Sequence, residues 1–493
     1  MVKKIILEPG RTFQEFSLLT GLTKKNCIIP NISLETRLAE NLKLKIPMLS
    51  AAMGSVTGYD MALAMGKEGG IGILPARLPI QKQADIVSKI KRYEMSFVEE
   101  PLHVRETQTV EEVIDIMEKH GHSKIPVVDR NNYFLGLFDQ KHYWTLEDIS
   151  ITDNVTKAMI PFDEHDGKIT YSKNKDISVN EAKKLLKDKN AKHLIVLDEH
   201  GRLNKLAFEK DIEKVKVGSA ISSYPGWEER VEANIAAGVD LIVIDSSDGY
   251  SEFVAEVIKE YKSMSITSNV PICAGNVITY DGALYLMEAG ADIIKIGMSS
   301  GSICSTQREK ATGRAPMTAL IEVDRARRDY QKIQKSFKEL RNRYVPLIAD
   351  GGITSSADII IALTVADAVM MGGYFNKFYE AAGEKLDKDG KPTRDESKMI
   401  KVVTYGEGSK RAQNLDRYGH SSRKTFFEEG IEGTFLYLGM LKPYLKKDIM
   451  KIKAALSNAG CMDLEEFRRE SIIELNSSFT SEIVSKPHSV IQK

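Results

Sequence analysis

Short apolar runs that alternate with helical stretches constrain the fold of this chain more than any other feature. Near-continuous apolar strands separated by helices are typical of a parallel sheet covered on both faces. The chain contains enough such units for an α/β fold of the closed (β/α)8 TIM barrel type, and a doubly wound sheet is the alternative. The apolar runs are Lys45–Ser50, Asp240–Asp245, Val270–Asn276, Asp292–Gly297, Val345–Asp350 and Asp367–Gly372, and the helical stretches include Gly226–Ala237, Ser251–Lys262 and Tyr280–Ala289.

Polar or small residues close nearly every one of these runs. In a barrel the active site is built from the carboxyl ends of the strands, so converging strand-end residues favour a barrel enzyme. A single aspartate at such a position is usually a helix cap, but several together are harder to explain in that way. The strand-end residues are Ser50, Asp245, Asn276, Asp350, Gly372 and the loop that leads to Cys304.

Cys304 ends a loop of small residues that follows the apolar run Ile293–Ile296. Small residues let a ligand approach the main chain closely. A thiol presented there is a candidate nucleophile if its pKa is lowered. The alternative is a buried cysteine that fills space, which is the usual role of a free cysteine. The loop alone leaves both interpretations open.

Two glycine pairs follow the last two apolar runs, Gly351-Gly352 and Gly372-Gly373. Barrels often bind phosphate at this position through backbone N–H groups. Tight strand-to-helix turns would explain the same glycines. The sequence contains no P-loop motif and no spacing typical of metal ligands, so neither chemistry is indicated.

A repeat with an offset of 69 residues interrupts the barrel pattern. Ile125–Asp129 recurs as Leu194–Asp198, and the helical stretches Val110–Lys119 and Val179–Lys187 begin 69 residues apart. Each unit is too short to bury its own apolar face, so we expect the two units to pack on each other.

Composition restricts the class of protein further. The 493 residues include 69 basic and 69 acidic side chains, a balance that predicts no nucleic-acid or membrane-surface partner. The four cysteines do not form a disulfide framework, and a reducing, cytoplasmic setting is expected. No signal peptide and no membrane span are expected either.

The stretch from Glu384 to Lys424 is mostly charged or small, with a hairpin tip at Lys388–Pro392. A stretch of this kind is usually a solvated surface, although long excursions in compact domains also serve as active-site lids. The composition does not decide between the two.

The repeated region, about residues 95 to 217, resembles a tandem of CBS modules, also called a Bateman domain. That resemblance implies a regulatory insert, and many such modules bind adenine nucleotides through a Ser/Thr followed three residues later by an Asp. The first repeat has Asp139–His142 here and the second has Phe208–Asp211, so each keeps at most half of the motif. Nucleotide binding and a purely structural role both stay open.

Taken together, the motifs resemble those of the inosine-5′-monophosphate (IMP) dehydrogenase family, in a divergent form. The resemblance rests on Gly301–Thr306, Asp350–Gly352, Gly406–Ser409 and Arg417-Tyr418. It implies a barrel of residues 1–94 and 218–493 around the insert 95–217, with a mobile flap at about 384–430.

The same resemblance implies a two-stage reaction. Cys304 attacks C2 of the IMP base, a hydride passes to NAD⁺, and the covalent adduct is hydrolysed to xanthosine 5′-monophosphate. The family's water-activating groups match Arg417 and Tyr418 on the flap and the pair Thr306 and Glu429. An arginine is an unusual base, because its ordinary pKa is above about 12.

The resemblance also assigns the binding residues. The substrate residues are Met53, Ser302, Asp350, Gly351, Gly352, Gly372, Gly373, Gly406, Glu407 and Gly408, with Asp350 on the ribose hydroxyls. The cofactor residues are Asp245, Ser246, Ser247 and Asn276.

A K⁺ ion bound by the carbonyls of Gly297, Ser299 and Cys304 and a homotetramer are further implications. Ser299 stands where the family usually has glycine, and Thr404 stands where a tyrosine is common. Two rival functions remain. One is GMP reductase, which deaminates GMP with NADPH, and the other is a CBS-gated nucleotide sensor on an inactive barrel. Arg417-Tyr418 argues against the reductase, because that dipeptide serves the water step.

Overall fold

A computed structural model describes residues 5–93, 97–98, 101–120, 123–208, 215–301, 303–336, 344–409, 411 and 430–477. Two compact units are present. One comprises the described residues within 1–91, 216–441 and 447–493, and the other comprises those within 92–215 together with 442–446. Among the described residues, no helix has the length and apolar character needed to cross a membrane.

The strands and helices are numbered in chain order. The strands are β1 Phe16–Leu18, β2 Thr36–Ala39, β3 Leu42–Leu44, β4 Met48–Ser50, β5 Ile71–Leu74, β6 Val104–Arg105, β7 Lys124–Val128, β8 Phe134–Asp139, β9 Ile160–Pro161, β10 Tyr171–Ser172, β11 His193–Leu197, β12 Leu203–Phe208, β13 Val217–Ile221, β14 Leu241–Ile244, β15 Ile272–Val277, β16 Ile293–Ile296, β17 Leu347–Asp350, β18 Ala368–Met371, β19 Lys385–Leu386, β20 Lys401–Tyr405, β21 Glu432–Leu436 and β22 Ile473–Leu475. The α-helices are α1 Tyr59–Lys67, α2 Ile80–Lys91, α3 Val110–His120, α4 Gln140–Tyr143, α5 Val179–Asp188, α6 Trp227–Ala236, α7 Glu252–Ser263, α8 Tyr280–Ala289, α9 Thr306–Lys310, α10 Pro316–Ser336, α11 Ser356–Leu363, α12 Leu441–Asn458 and α13 Leu464–Glu470.

The larger unit is a closed barrel of parallel strands in the order β13-β14-β15-β16-β17-β18-β4-β5, with β5 paired to β13. The predicted TIM barrel is therefore confirmed. Its interior is packed with apolar side chains from alternate strand positions, including Leu241, Val243, Ile293 and Ile348. The hairpin β2–β3 contributes Leu38, Leu42 and Leu44 to the same apolar cluster.

Two barrel strands, β5 and β13, are absent from the apolar runs found in the sequence. Both are interrupted by small residues, which weakens their apolar signal. In β5, helix α1 packs so closely on Gly72 that a Cβ there would lie 2.5 Å from the Cα of Ala62. The small residue that hides the strand in the sequence is thus what allows the helix to pack against it.

The smaller unit contains the two repeats. Its strands form the sheets β6-β7-β8-β9 and β10-β11-β12, and β11, β12 and α5 each begin 69 residues after β7, β8 and α3. One apolar cluster combines Val128 and Leu137 of the first repeat with Ile195 and Leu206 of the second. The repeats therefore bury apolar surface against each other, as expected, and their identity as CBS modules stays a prediction.

One carboxylate holds both ends of the chain that connects the barrel to the insert. The Asp240 carboxylate pairs with Lys91 Nζ, at the end of α2, at 2.7 Å, and with Lys216 Nζ, just before β13, at 3.0 Å. It also accepts the backbone N–H of Val217 at 3.0 Å. The chain leaves the barrel and returns to it at the same side chain.

Candidate active site

Two adjacent cavities open among the loops at the carboxyl ends of the barrel strands. The larger has a volume of about 1000 Å³ and the smaller of about 200 Å³. Both are lined by Ser299–Gly301 and by Asp350 and Gly351, which form a common wall. The two cavities therefore adjoin each other along these shared residues.

The larger cavity brings together several residues that were predicted to bind substrate. Its wall includes Met53, Asp350, Gly351, Gly352, Gly372 and Gly373. Sequence reasoning missed the N-terminal residues Thr12 and Gln14, which also line it. Gln14 is held in place by a hydrogen bond of 2.8 Å from its amide to Asp358 at the start of α11.

The smaller cavity collects the residues predicted for the thiol chemistry and for the cofactor. Its wall includes Asp245, Ser246, Ser247, Asn276, Gly297, Ser299, Cys304 and Thr306. Acceptors and hydroxyls of this kind suit the ribose and amide groups of a dinucleotide. The residues present thus fit the cofactor that the resemblance implies.

Cys304 differs from the other cysteines in its surroundings. It is exposed, whereas Cys27, Cys273 and Cys461 are buried. Burial raises the pKa of Cys273 to about 12 and that of Cys461 to about 11, so neither thiol is readily ionised. The sulfur of Cys304 lies 3.1 Å from the Thr306 hydroxyl. Cys304 is therefore not a space filler in the core.

The loop before Cys304 has a restricted backbone. Gly297 has a φ of +144°, and a Cβ there would lie 1.9 Å from the carbonyl oxygen of Asp350, so only glycine fits. Ser299 has a φ of +65°, and its hydroxyl donates to the Thr312 carbonyl at 2.6 Å. This serine thus anchors the loop through a side chain that glycine lacks.

The predicted K⁺ ligands are only partly available in this geometry. The carbonyl of Gly297 already accepts the Asn276 side-chain amide at 2.7 Å. It therefore has a single lone pair left for a cation. The ion stays a prediction, and no chemical step below depends on it.

A buried polar network lies beneath the common wall. Asp350 Oδ2 accepts hydrogen bonds from Asn276 Nδ2 at 3.0 Å and from Lys295 Nζ at 3.1 Å, and Lys295 also donates to Asn276 Oδ1. Sequence reasoning missed Lys295. The available signal was a lysine inside the apolar run Ile293–Ile296, at the same strand parity as the inward-facing Ile293.

The loop after β20 contains the predicted residues Gly406, Glu407 and Gly408. Glu407 accepts the backbone N–H of Gly54, beside Met53, at 2.7 Å. Its carboxylate also lies 4.0 Å from Nε of Arg77, whose guanidinium donates to the Tyr405 hydroxyl. Glu407 therefore links this loop to the loop that carries Met53, and Arg77, another residue that sequence reasoning missed, contacts both Glu407 and Tyr405.

The polar stretch predicted as a flap begins with regular structure. β19 pairs with β20 and β20 pairs with β21, and Val402, Val403, Thr404 and Tyr405 are buried. Within the predicted span of 384–430, the described part therefore includes strands, because apolar residues concentrate in 402–405. Ser302, Arg417, Tyr418 and Glu429 lie outside the described residues. Gly430 forms an antiparallel backbone bridge with Cys304.

The fold and site together define a (β/α)8-barrel enzyme with an exposed thiol on the smaller of two adjoining cavities at the carboxyl ends of the barrel strands. The chain belongs to the IMP dehydrogenase/GMP reductase family, because residues 10–488 match the family model described as "IMP dehydrogenase / GMP reductase domain". As a member whose curated relatives are IMP dehydrogenases, it is an oxidoreductase.

Sequence relatives and solved structures agree on the family. The chain is 33% identical to an inosine-5′-monophosphate dehydrogenase of Tritrichomonas foetus, over 99% of this chain and 97% of that protein. It is 32% identical to an inosine-5′-monophosphate dehydrogenase of Aquifex aeolicus, over 95% and 93%. It also resembles a crystal structure of a cysteine-to-alanine variant of GMP reductase from Trypanosoma brucei with guanosine 5′-monophosphate, with a TM-score of 0.68, 26% identity and coverage of 98% and 99%.

Proposed function

We propose that this protein is an IMP dehydrogenase, which oxidises IMP to xanthosine 5′-monophosphate with NAD⁺ and water. The observation that carries this proposal is the position of Cys304, an exposed thiol on the smaller cavity, next to the wall shared with the larger one. This arrangement suits a nucleophile that attacks a base in one cavity while a cofactor occupies the other.

The larger cavity would hold the nucleotide. Backbone N–H groups of the glycine pairs 351–352 and 372–373 suit the phosphate, and Asp350 suits the two ribose hydroxyls. Ser302, outside the described residues, is assigned to the phosphate from the sequence resemblance alone. Met53 would pack on the base, and the loop Gly406–Gly408 would close that end of the site. These assignments place C2 of the base toward the cysteine loop.

The cofactor residues would be Asp245, Ser246, Ser247 and Asn276, which line the smaller cavity. NAD⁺, when bound, supplies the hydride acceptor. The carboxylate of Asp245 is suited to ribose hydroxyls, and the amide of Asn276 is held by Gly297 and Asp350 for contact with the nicotinamide.

Cys304 would act first. Its sulfur would lose its proton to solvent and add to C2 of IMP, and C2 would then give up its hydride to the bound NAD⁺, which leaves the base covalently attached to Cys304. Dividing oxidation from hydrolysis in this way is what a covalent nucleophile makes possible. The neighbouring Thr306 hydroxyl, 3.1 Å from the sulfur, orients the thiol.

Hydrolysis would then release the product. Water adds to C2, the carbon–sulfur bond breaks, and the thiol of Cys304 is restored. We assign activation of this water to Arg417 with Tyr418, and secondarily to Thr306 with Glu429. The K⁺ ion and the homotetramer belong to the same proposal.

GMP reductase is the second candidate, and one observation favours it. Two solved structures that cover nearly the whole chain are GMP reductases from Trypanosoma brucei, with TM-scores of 0.68 and 0.62. The Arg417-Tyr418 dipeptide and the named sequence relatives favour the dehydrogenase instead.

A cofactor assay separates the two activities. Purified protein receives IMP with NAD⁺, and in a second reaction GMP with NADPH, while absorbance of the reduced cofactor is followed. We expect NADH to form with IMP. Consumption of NADPH with GMP, without any activity on IMP, would refute the dehydrogenase and support the reductase.

Variants test the two stages separately. Cys304→Ala should abolish NADH formation, whereas the matched control Cys461→Ala, at a buried thiol away from both cavities, should retain it. Arg417→Ala should retain a burst of NADH equal to the enzyme concentration and then turn over slowly. Equal loss of burst and turnover would contradict the assignment of Arg417 to hydrolysis.

A further inference from the structure

Lys295 is a charged residue inside the barrel that the reaction above does not use. It lies on β16, between Ile294 and Ile296, and its side chain is 4% exposed. Its neighbours in the barrel interior are mostly apolar side chains. Burying an ammonium group at such a position is costly unless partners compensate for the lost water.

The partners of Lys295 are Asn276, which lines the smaller cavity, and Asp350, which lines both cavities. Its ammonium donates to Asn276 Oδ1 and to Asp350 Oδ2, the latter at 3.1 Å. Asn276 in turn donates to the same Oδ2 atom at 3.0 Å. The three side chains therefore form a closed triangle of hydrogen bonds.

This triangle restricts the carboxylate of Asp350. Oδ2 accepts two hydrogen bonds, while among the described residues no side chain or backbone group donates to Oδ1. Asp350 lines both cavities, so a fixed rotation of its carboxylate presents one chosen oxygen to a ligand. Without Lys295, Oδ2 would lose its charged partner, and the neutral hydrogen bond from Asn276 alone would hold the carboxylate less firmly.

Electrostatics keeps the lysine charged. Burial lowers the pKa of Lys295, but the nearby carboxylates of Asp350 and Asp245 outweigh that effect and raise the pKa overall. The ammonium therefore persists at neutral pH and attracts both acidic groups.

We propose that Lys295 is a positioning residue, which holds the Asp350 carboxylate so that Oδ1 faces the ribose hydroxyls of the nucleotide. This inference rests on the proposed function, in which Asp350 binds those hydroxyls. Through Asn276, the same ammonium also fixes the amide predicted to lie beside the nicotinamide. Lys295 thus orients one group for each of the two substrates.

The test compares IMP with 2′,3′-dideoxy-IMP, which lacks both hydroxyls, by isothermal titration calorimetry without NAD⁺. The wild type should bind IMP at least about 10-fold more tightly than the dideoxy compound, because hydrogen bonds to a charged group are strong. Lys295→Met should weaken IMP binding about 10-fold and leave dideoxy-IMP binding within about 2-fold. Lys295→Arg, which keeps the charge, should retain more of the preference for IMP than Lys295→Met does.

Two controls exclude a general structural effect. Lys262→Met removes an exposed lysine that pairs with Asp292 away from both cavities, and it should leave both affinities unchanged. If Lys295→Met does not fold, as judged by circular dichroism, Lys295→Gln replaces it in the comparison.

The outcomes distinguish this inference from the proposed function. Equal weakening of both ligands by Lys295→Met, or an unchanged preference for IMP, would overturn the positioning role. A wild type that binds both ligands equally well would instead refute the assignment of Asp350 to the ribose. A wild type that binds no IMP would refute the proposed function itself.

Discussion

Acidification should destabilise the insert through one histidine, His193, at the start of β11. The pKa of His193 is lowered from 6.5 to about 4, mainly by burial and also by the charge of Lys124, while Asp139 acts in the opposite direction. Lys124 and Asp139 form an ion pair at 2.8 Å on the strands β7 and β8. These two residues are the charged groups that face the imidazole.

The two pKa values of His193, about 4 when folded and 6.5 when unfolded, fix the sign and the size of the change in unfolding free energy with pH. Between pH 6.5 and about 4 the unfolded chain binds a proton that folded His193 does not, so stability falls as the pH is lowered. Above pH 6.5 both states are neutral and the histidine has no effect. Each pH unit within the window contributes about 1.4 kcal/mol, which gives a loss of about 3 kcal/mol by pH 4.

Tryptophan fluorescence during urea unfolding measures this loss in the full chain. The chain has two tryptophans, Trp144 in the insert and Trp227 in the barrel, so a Trp227→Phe background reports on the insert alone. In that background His193→Gln should remove about 3 kcal/mol of the loss in unfolding free energy between pH 7 and pH 4. His200→Gln, at an exposed histidine of the same repeat, serves as the control. Parallel profiles for wild type and His193→Gln would refute the reasoning.

Three further predictions concern the barrel. Gly297→Ala should lower kcat/KM about 100-fold or more, because the added Cβ would displace the Asp350 carbonyl. Gly433→Ala is the control: an added Cβ there would meet no atom within 4 Å, so kcat/KM should stay unchanged. Steady-state kinetics of both variants test this prediction. Arg77→Met should raise KM for IMP about 10-fold at a nearly constant kcat, because Glu407 and Tyr405 lose their guanidinium partner. Arg325→Met, at an exposed arginine, serves as the control. A fall in kcat alone would contradict a role of Arg77 in supporting the substrate loop. Asp240→Asn should lower the free energy of unfolding of the barrel by about 2 kcal/mol in urea titrations, because Lys91 and Lys216 lose their carboxylate partner. An unchanged free energy of unfolding would show that the two ion pairs do not stabilise the barrel.

Much of the barrel is predictable from the sequence because its strands are continuous apolar runs. Helix α8 was predicted at Tyr280–Ala289 and is found there, since an N-cap threonine and a C-terminal glycine mark its ends. The strands β5 and β13 were missed because Gly72, Gly218 and Ser219 dilute their apolar character. In both strands close packing, rather than strand propensity, decides the structure.

The candidate site is predictable only where the residue type and its neighbours in the sequence indicate a chemical role. A cysteine on a loop of small residues and glycine pairs that follow strands can be recognised from the sequence alone. The ion pair of Lys295 with Asp350 is not, because it depends on the pairing of β16 with β17, which places residues 55 positions apart side by side. Arg77 gave no signal either, since its partners lie far along the sequence, Tyr405 at the end of β20 and Glu407 in the loop that follows.

The carboxylate of Asp240 has a consequence for how this chain can be synthesised and altered. The residues on either side of segment 92–215, Lys91 and Lys216, both pair with Asp240. The two attachment points of this segment therefore lie close together, and in the barrel the segment takes the place of the connection between α2 and β13. Because the ends of this segment are already held together, its length adds little to the entropy of closing it. We therefore expect that segment 92–215 can be lengthened, shortened or exchanged without changing the order in which the barrel strands pair. During translation, however, β5 cannot pair with β13 until all of residues 92–215 have been synthesised.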